Sequence, residues 1–217
     1  MNERKGIVDM PVSLKYRTIL IHVPKTAGTS IEKVLGVYGR PECLHGLINN
    51  TYMQHLTAEE IVVLMGKSLY QKFYSIAFVR NPWDRCVSEY AYLQKEGHPF
   101  AAGLTFSQFI NKLPAKEGTL PKHIYQHLRP QSDYIIDKDG NSLVDCIGAF
   151  EDLDKYWYNI TLNIHNHSGV YLPKELPKTQ TSQHDHYSKY YNGQTRDWVA
   201  KVYDKDIKIH HYQFESN

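Results

Sequence analysis

Long apolar runs are missing from this chain, and so are paired cysteines, a strong net charge and any internal repeat. No stretch approaches the ~20 apolar residues that a membrane-spanning helix needs. The amino terminus, Met-Asn-Glu-Arg-Lys-Gly, leads into none either, so neither a signal peptide nor a membrane anchor is expected. Cys43, Cys86 and Cys146 are odd in number and widely spaced, with no Cys-x-x-Cys pair. That argues against a disulfide scaffold or a zinc ribbon, and a reducing cytoplasm is the expected location. The net charge is +2 with histidine neutral, too small for a dedicated nucleic-acid binder but compatible with local anion pockets. Histidines are frequent, at 12, yet His184-Asp-His186 and His210-His211 lack the His-Glu-x-x-His or Cys/His sets that hold metals, and no metal is expected. Asp137 and Asp139 hint at calcium, but Gly140 falls in the wrong place for an EF-hand loop. What remains is a chain of 217 residues, 41% hydrophobic, enough for one sizeable core and, by default, one domain. Residues 1–17 read as a loose lead-in and 18–217 as the domain.

The most informative stretch runs from Ile19 to Leu35. Ile19, Leu20, Ile21 and Val23 form a short apolar run, the mark of a strand buried on both faces of a parallel sheet. Pro24 ends it. After the small-residue turn Thr26–Ser30, Ile31, Val34, Leu35 and Tyr38 recur with the period of an amphipathic helix. Strand, tight turn and helix in this order aim backbone N–H groups at an anion. Lys25 adds a positive charge, and Thr26, Thr29 and Ser30 add hydroxyls. The lysine precedes the glycine, unlike the Gly-x-x-x-x-Gly-Lys-Ser/Thr loop of kinases and ATPases.

Tyr74 to Val79 reads as a second buried strand, followed at once by Arg80-Asn-Pro-Trp-Asp-Arg-Cys-Val-Ser88-Glu-Tyr90. Asn81 suits an N-cap and Pro82 a first helical residue. Trp83, Val87, Tyr90 and Ala91 trace an apolar face. Arg80 then stands at a strand's carboxyl end, where open α/β sheets bind ligands. Ser88 follows under two turns into the helix, and the pair suits one phosphate.

Pro24-Lys-Thr-Ala-Gly-Thr-Ser30 resembles the 5′-phosphosulfate loop of sulfotransferases, enzymes that use 3′-phosphoadenosine-5′-phosphosulfate (PAPS). Arg80-Asn-Pro-Trp-Asp-Arg-x-x-Ser-x-Tyr resembles their 3′-phosphate motif, in the branch of carbohydrate 2-O-, chondroitin and HNK-1 type enzymes. The likeness continues at His127-Leu-Arg-Pro-Gln-Ser-Asp-Tyr-Ile, at Ile147-Gly-Ala-Phe-Glu-Asp-Leu and at Val202-Tyr-Asp-Lys-Asp-Ile. It covers roughly residues 18–213 and fits a bacterial-type member without the Golgi enzymes' anchor. It implies a single P-loop-like α/β domain whose central parallel sheet is flanked by helices. It also implies that Lys25, Thr26, Ala27, Gly28, Thr29 and Ser30 bind the 5′-phosphosulfate, and Arg80 and Ser88 the 3′-phosphate. Lys25 is the expected transition-state donor. His55, just before the capping-box pattern Thr57-Ala-Glu-Glu60, is the expected base. His22, His123, His127 and Arg129 are candidates for contacting the acceptor, and His22, His123 and His127 are rivals for the base. Thr181, Ser182 and Gln183 occupy the place of a cofactor-closing loop.

Elsewhere, Gly36–Asn50 reads as loop, and helices are predicted around Ile61, Leu64 and Met65, stopped by Gly66, and around Phe109, Ile110 and Leu113. Two more are predicted, one through Leu153, Tyr156, Trp157, Ile160 and Ile164, the other from near Thr195. Residues 137–141 read as the turn of a hairpin between Tyr134-Ile-Ile and Leu143-Val-Asp-Cys-Ile. Residues 114–121 read as a surface loop. Tyr187, Tyr190 and Tyr191 read as core filling, with stacking on a sugar ring the alternative. The expected reaction is sulfuryl transfer from PAPS to a hydroxyl, with a glycan or glycolipid favoured as acceptor. The alternatives are a small-molecule or nucleotide kinase of related fold, or a non-catalytic nucleotide- or glycan-binding module.

Overall fold

The computed structural model describes residues 10–39, 47–48, 51–114, 118–177 and 184–216. By its contacts the chain divides into two compact units, Met1–Val79 with Asp133–Gln180, and Arg80–Ser132 with Thr181–Asn217.

The first unit holds the sheet. Its strands β1 (Val12–Ser13), β2 (Thr18–Ile21), β5 (Tyr74–Val79) and β6 (Cys146–Ala149) lie in the order β1-β2-β5-β6. β5 runs parallel to both neighbours, with Ile21 opposite Ala77 and Val79 opposite Ala149, and only β1 is antiparallel. Successive strand residues face opposite sides, and Ile19, Leu20, Ile21, Ile76, Ala77, Phe78 and Val79 are all buried, so both sides are covered. On one side Leu20, Ile76 and Phe78 pack with Ile31 and Leu35 of α1 (Gly28–Leu35) and Trp157, Ile160 and Ile164 of α8 (Leu153–Ser168). The pairing of β5 with β6 is pinned where they begin: Asp145 accepts from the Ser75 amide at 2.8 Å and from its hydroxyl at 2.7 Å. Helix α2 (Ala58–Met65) starts at the expected capping box of Thr57 and Glu60 and stops at Gly66, with α3 (Lys67–Tyr70) following.

The second unit is built on α4 (Pro82–Lys95), with α5 (Phe106–Ile110), α6 (Lys122–Leu128), α9 (Gly193–Val202) and α10 (Asp204–His210). Trp83, Cys86, Val87 and Leu93 meet Phe106, Phe109, Ile110, Ile124, Leu128, Val199 and Tyr203 in one core. Tyr187 belongs to it and Tyr190 and Tyr191 pack against it, so these tyrosines fill core rather than present a sugar platform. Tyr191 donates its hydroxyl to the Trp83 carbonyl at 3.0 Å.

Several local expectations are corrected. Val12–Ser13, inside the expected lead-in, form an edge strand, and Leu47–Ile48 (β3), inside the expected loop Gly36–Asn50, pair with Thr51–Tyr52 (β4). Helix α1 stops when Gly36 turns left-handed, leaving Tyr38 outside it and 40% exposed. Leu64 is likewise 40% exposed. The hairpin shrinks to one bridge, Ile136 with Ser142, because Ser132–Ile135 coil into the short helix α7 instead. Its turn survives, since the Asp137 carboxylate accepts from the amides of Asp139 and Asn141. The amides of Asn141 and Asp139 also hold that carboxylate below the usual range, Asn141 foremost. Residues 115–117 of the expected surface loop, and Thr181, Ser182 and Gln183, lie outside the described residues. Among the described residues no helix is long and apolar enough to cross a membrane.

Candidate active site

In the first unit the chain leaves β2 at its carboxyl end and turns into α1 within six residues, His22 to Ala27. Lys25 (φ 69°) and Ala27 (φ 66°) are both left-handed. Outside glycine that conformation costs ~1–2 kcal/mol per residue, and such strain gathers where successive amides must converge on a ligand. The Thr26 hydroxyl braces the turn by donating to the Val23 carbonyl at 2.8 Å. Lys25, Ala27 and Thr29 are partly exposed, while Thr26, Gly28 and Ser30 are buried. Gly28 is required for a reason the sequence did not suggest: an added Cβ would overlap the His22 ring.

That ring is one member of a buried polar chain. His22 Nδ1 lies 2.7 Å from Glu32 Oε1, and Gln54 donates to Glu32 Oε2 at 2.9 Å. Glu32 is wholly buried, one helical turn past Gly28. His55, also buried, sits edge-on to His22 with ring centroids 4.6 Å apart. Its Nδ1 is 3.0 Å from the His22 carbonyl oxygen. A carbonyl only accepts, so Nδ1 carries the hydrogen and the neutral ring keeps its lone pair on Nε2, the tautomer a base requires. The structure thus brings together Gly28, His22 and His55. It adds Glu32 and Gln54, which sequence reasoning passed over. The available signal was a carboxylate spaced i, i+4 from the loop glycine, where side chains share a helix face.

In the second unit the Arg80 motif forms the start of α4. Asn81 caps α4 by accepting from the amides of Trp83 and Asp84, and Pro82 is its first residue. Arg80 is buried and its Nε donates to Asp84 at 2.8 Å. Ser88 is buried on the same helix. Arg85, missed as a site residue, is buried and donates to the carbonyls of His127 (3.1 Å) and Arg129 (2.8 Å). Cys86 is core, its thiol pushed up to about 11 by burial, and is no nucleophile. His127 Nδ1 lies 3.0 Å from the buried Glu89 carboxylate. His123 Nε2 lies 2.9 Å from His98 Nε2. Burial first, then His98 and His127, lower the His123 pKa from 6.5. Among the described residues no three His, Cys, Asp or Glu side chains are grouped to hold a metal ion.

Comparison with known proteins bears on this arrangement. An uncharacterized protein of Archaeoglobus fulgidus is 27% identical over 126 residues, 58% of this chain and 91% of its own. No solved structure matches. A family model described as the sulfotransferase family matches residues 9–213. That match takes in β2, the left-handed turn, α1 and the whole Arg80 motif, and the chain belongs to the sulfotransferase family.

Proposed function

We propose that the chain transfers the sulfuryl group of PAPS to a hydroxyl, with a carbohydrate as the acceptor class, and that residues 18–217 serve as one catalytic domain. The observation that carries this reading is the turn after β2. There, two left-handed residues, Lys25 and Ala27, precede the first turn of α1, and a turn of that kind directs successive backbone N–H groups toward one anion. Lys25, Thr26, Ala27, Gly28, Thr29 and Ser30 hold the 5′-phosphosulfate, and Arg80 with Ser88 the 3′-phosphate. As the acceptor oxygen bonds to sulfur, the S–O bond to the 5′-phosphate breaks and negative charge grows on the leaving oxygen. A fixed lysine and backbone donors stabilise that charge more than the ground state. His55 Nε2 takes the acceptor's proton, with Glu32, through His22, holding the ring in place. His22, His123, His127 and Arg129 are assigned to the acceptor side.

The test is transfer of labelled sulfate from PAPS to a panel of glycans and small alcohols. At saturating PAPS, Lys25→Ala should lower turnover by roughly 10²–10³-fold and His55→Ala by about 10²–10⁴-fold, the latter with unchanged affinity for 3′,5′-phosphoadenosine. Phosphoryl transfer from ATP, with no transfer from PAPS, would overturn the reading.

A further inference from the structure

We propose that Gln131 and Asp206 are positioning residues for Arg80, so that the C-terminal helix α10 takes part in recognising the 3′-phosphate. The proposal rests on the assignment of Arg80 given above and adds to it residues that touch neither phosphate nor sulfur. The backbone of Arg80 is held by a single side chain. Its N–H donates to Gln131 Oε1 at 2.8 Å, and Gln131 Nε2 donates to its carbonyl at 2.7 Å. An amide offers acceptor and donor side by side, as a neighbouring strand would, and a carboxylate lacks the donor. Gln131 itself is immobilised: its amide donates to Asp206 Oδ2 at 2.7 Å and that of Ser132 to Oδ1 at 2.8 Å. All three residues are fully buried. The residues before it are fixed from two more directions, by Arg85 on the carbonyls of His127 and Arg129 and by the Tyr203 hydroxyl on that of Leu128 at 2.7 Å. A buried carboxylate is costly, and a position that served packing alone would take an apolar residue. Here it anchors the strap that sets the Arg80 backbone, while Asp84 orients the Arg80 guanidinium.

Affinities for 3′,5′-phosphoadenosine and for adenosine 5′-phosphate, measured on one preparation, separate positioning from mere structural support. The wild-type protein should prefer the bisphosphate. Gln131→Ala should cut that preference by about tenfold or more, the worth of one charge-assisted hydrogen bond, while affinity for adenosine 5′-phosphate hardly changes. Gln131→Glu, nearly the same shape but without the donor, should move the same way, and Asp206→Asn less far. Thermal unfolding confirms that each variant is folded. A preference kept at the wild-type level in both Gln131 variants would overturn the proposal, as would equal weakening of both nucleotides. A wild-type protein with no preference would instead overturn the assignment of Arg80, and this proposal with it.

Discussion

Glu32 has no exposed surface, yet its two carboxylate oxygens face His22 and Gln54. Burying a carboxylate without partners is costly, and these two contacts offset that cost. Truncating such a group leaves donors unsatisfied, which costs about 1–3 kcal/mol and more for a charged one. Glu32→Gln keeps the shape but turns one acceptor into a donor that faces another donor. Turnover should fall about tenfold to a hundredfold, as when a supporting partner of a working histidine is lost, with affinity for 3′,5′-phosphoadenosine nearly unchanged. Wild-type turnover in this variant would show that Glu32 does not support His55. A double variant, His22→Gln with Glu32→Gln, that loses no more turnover than either single one would show that the two act as one unit.

Among the elements, those readable from sequence carry their instructions within one turn. Thr57 with Glu60, and Asn81 ahead of Pro82, each satisfy the first amides of a helix locally, and each helix starts where it was expected. Periodicity alone was a poorer guide at helix ends. It carried α1 on to Tyr38 past the stop at Gly36, and it gave Tyr134 and Ile135 to a strand when they are helical. The partners that build the site were out of reach for another reason. Gln54 meets Glu32 across 22 positions, Gln131 meets Arg80 across 51, and Asp206 meets Gln131 across 75. No local pattern encodes such pairs. Helix α6 escaped notice too, and it bears a histidine whose titration is set by another element. The Phe100 amide donates to His98 Nδ1 at 3.1 Å, so His98 carries its hydrogen on Nε2 and donates it to His123. Burial, His98 and His127 keep the His123 pKa below 6.5, against the opposing pull of Glu89. As pH falls past that value the unfolded chain takes up the proton first, so stability declines there and is unaffected above it. The melting temperature should drop between about pH 7 and pH 5, and His123→Gln, still able to accept from His98, should drop less. Parallel curves for the two proteins would assign the acid sensitivity elsewhere, with His210, also lowered by burial, next in line.

For the molecule as a whole, 25 basic residues against 23 acidic ones create no general field for anions. Any discrimination among nucleotides must therefore come from local donors rather than from long-range attraction, and the donors proposed are the turn at Lys25 and the Arg80 motif. Both motifs lie within the family match over residues 9–213, and their proposed roles require phosphates at the 3′ and 5′ positions of one adenosine. A ligand present at 100 times its dissociation constant stabilises the folded state by about 2.7 kcal/mol. For a chain of this size that raises the melting temperature by roughly 5–11 °C. The full shift is expected with 3′,5′-phosphoadenosine and without magnesium. ATP, which has no 3′-phosphate and extends the 5′ side instead, should give a small fraction of it. The Lys25-Thr26 step also stands ahead of the glycine, whereas the kinase-type loop that places magnesium has its Lys-Ser/Thr step after the glycines. Added magnesium should therefore not rescue the ATP response. Equal shifts with ATP and magnesium would favour the kinase reading. Full binding of 3′,5′-phosphoadenosine with no sulfate transferred from PAPS to any acceptor would favour a binding module, and the Lys25 turn would then be a receptor for the nucleotide rather than a site of reaction.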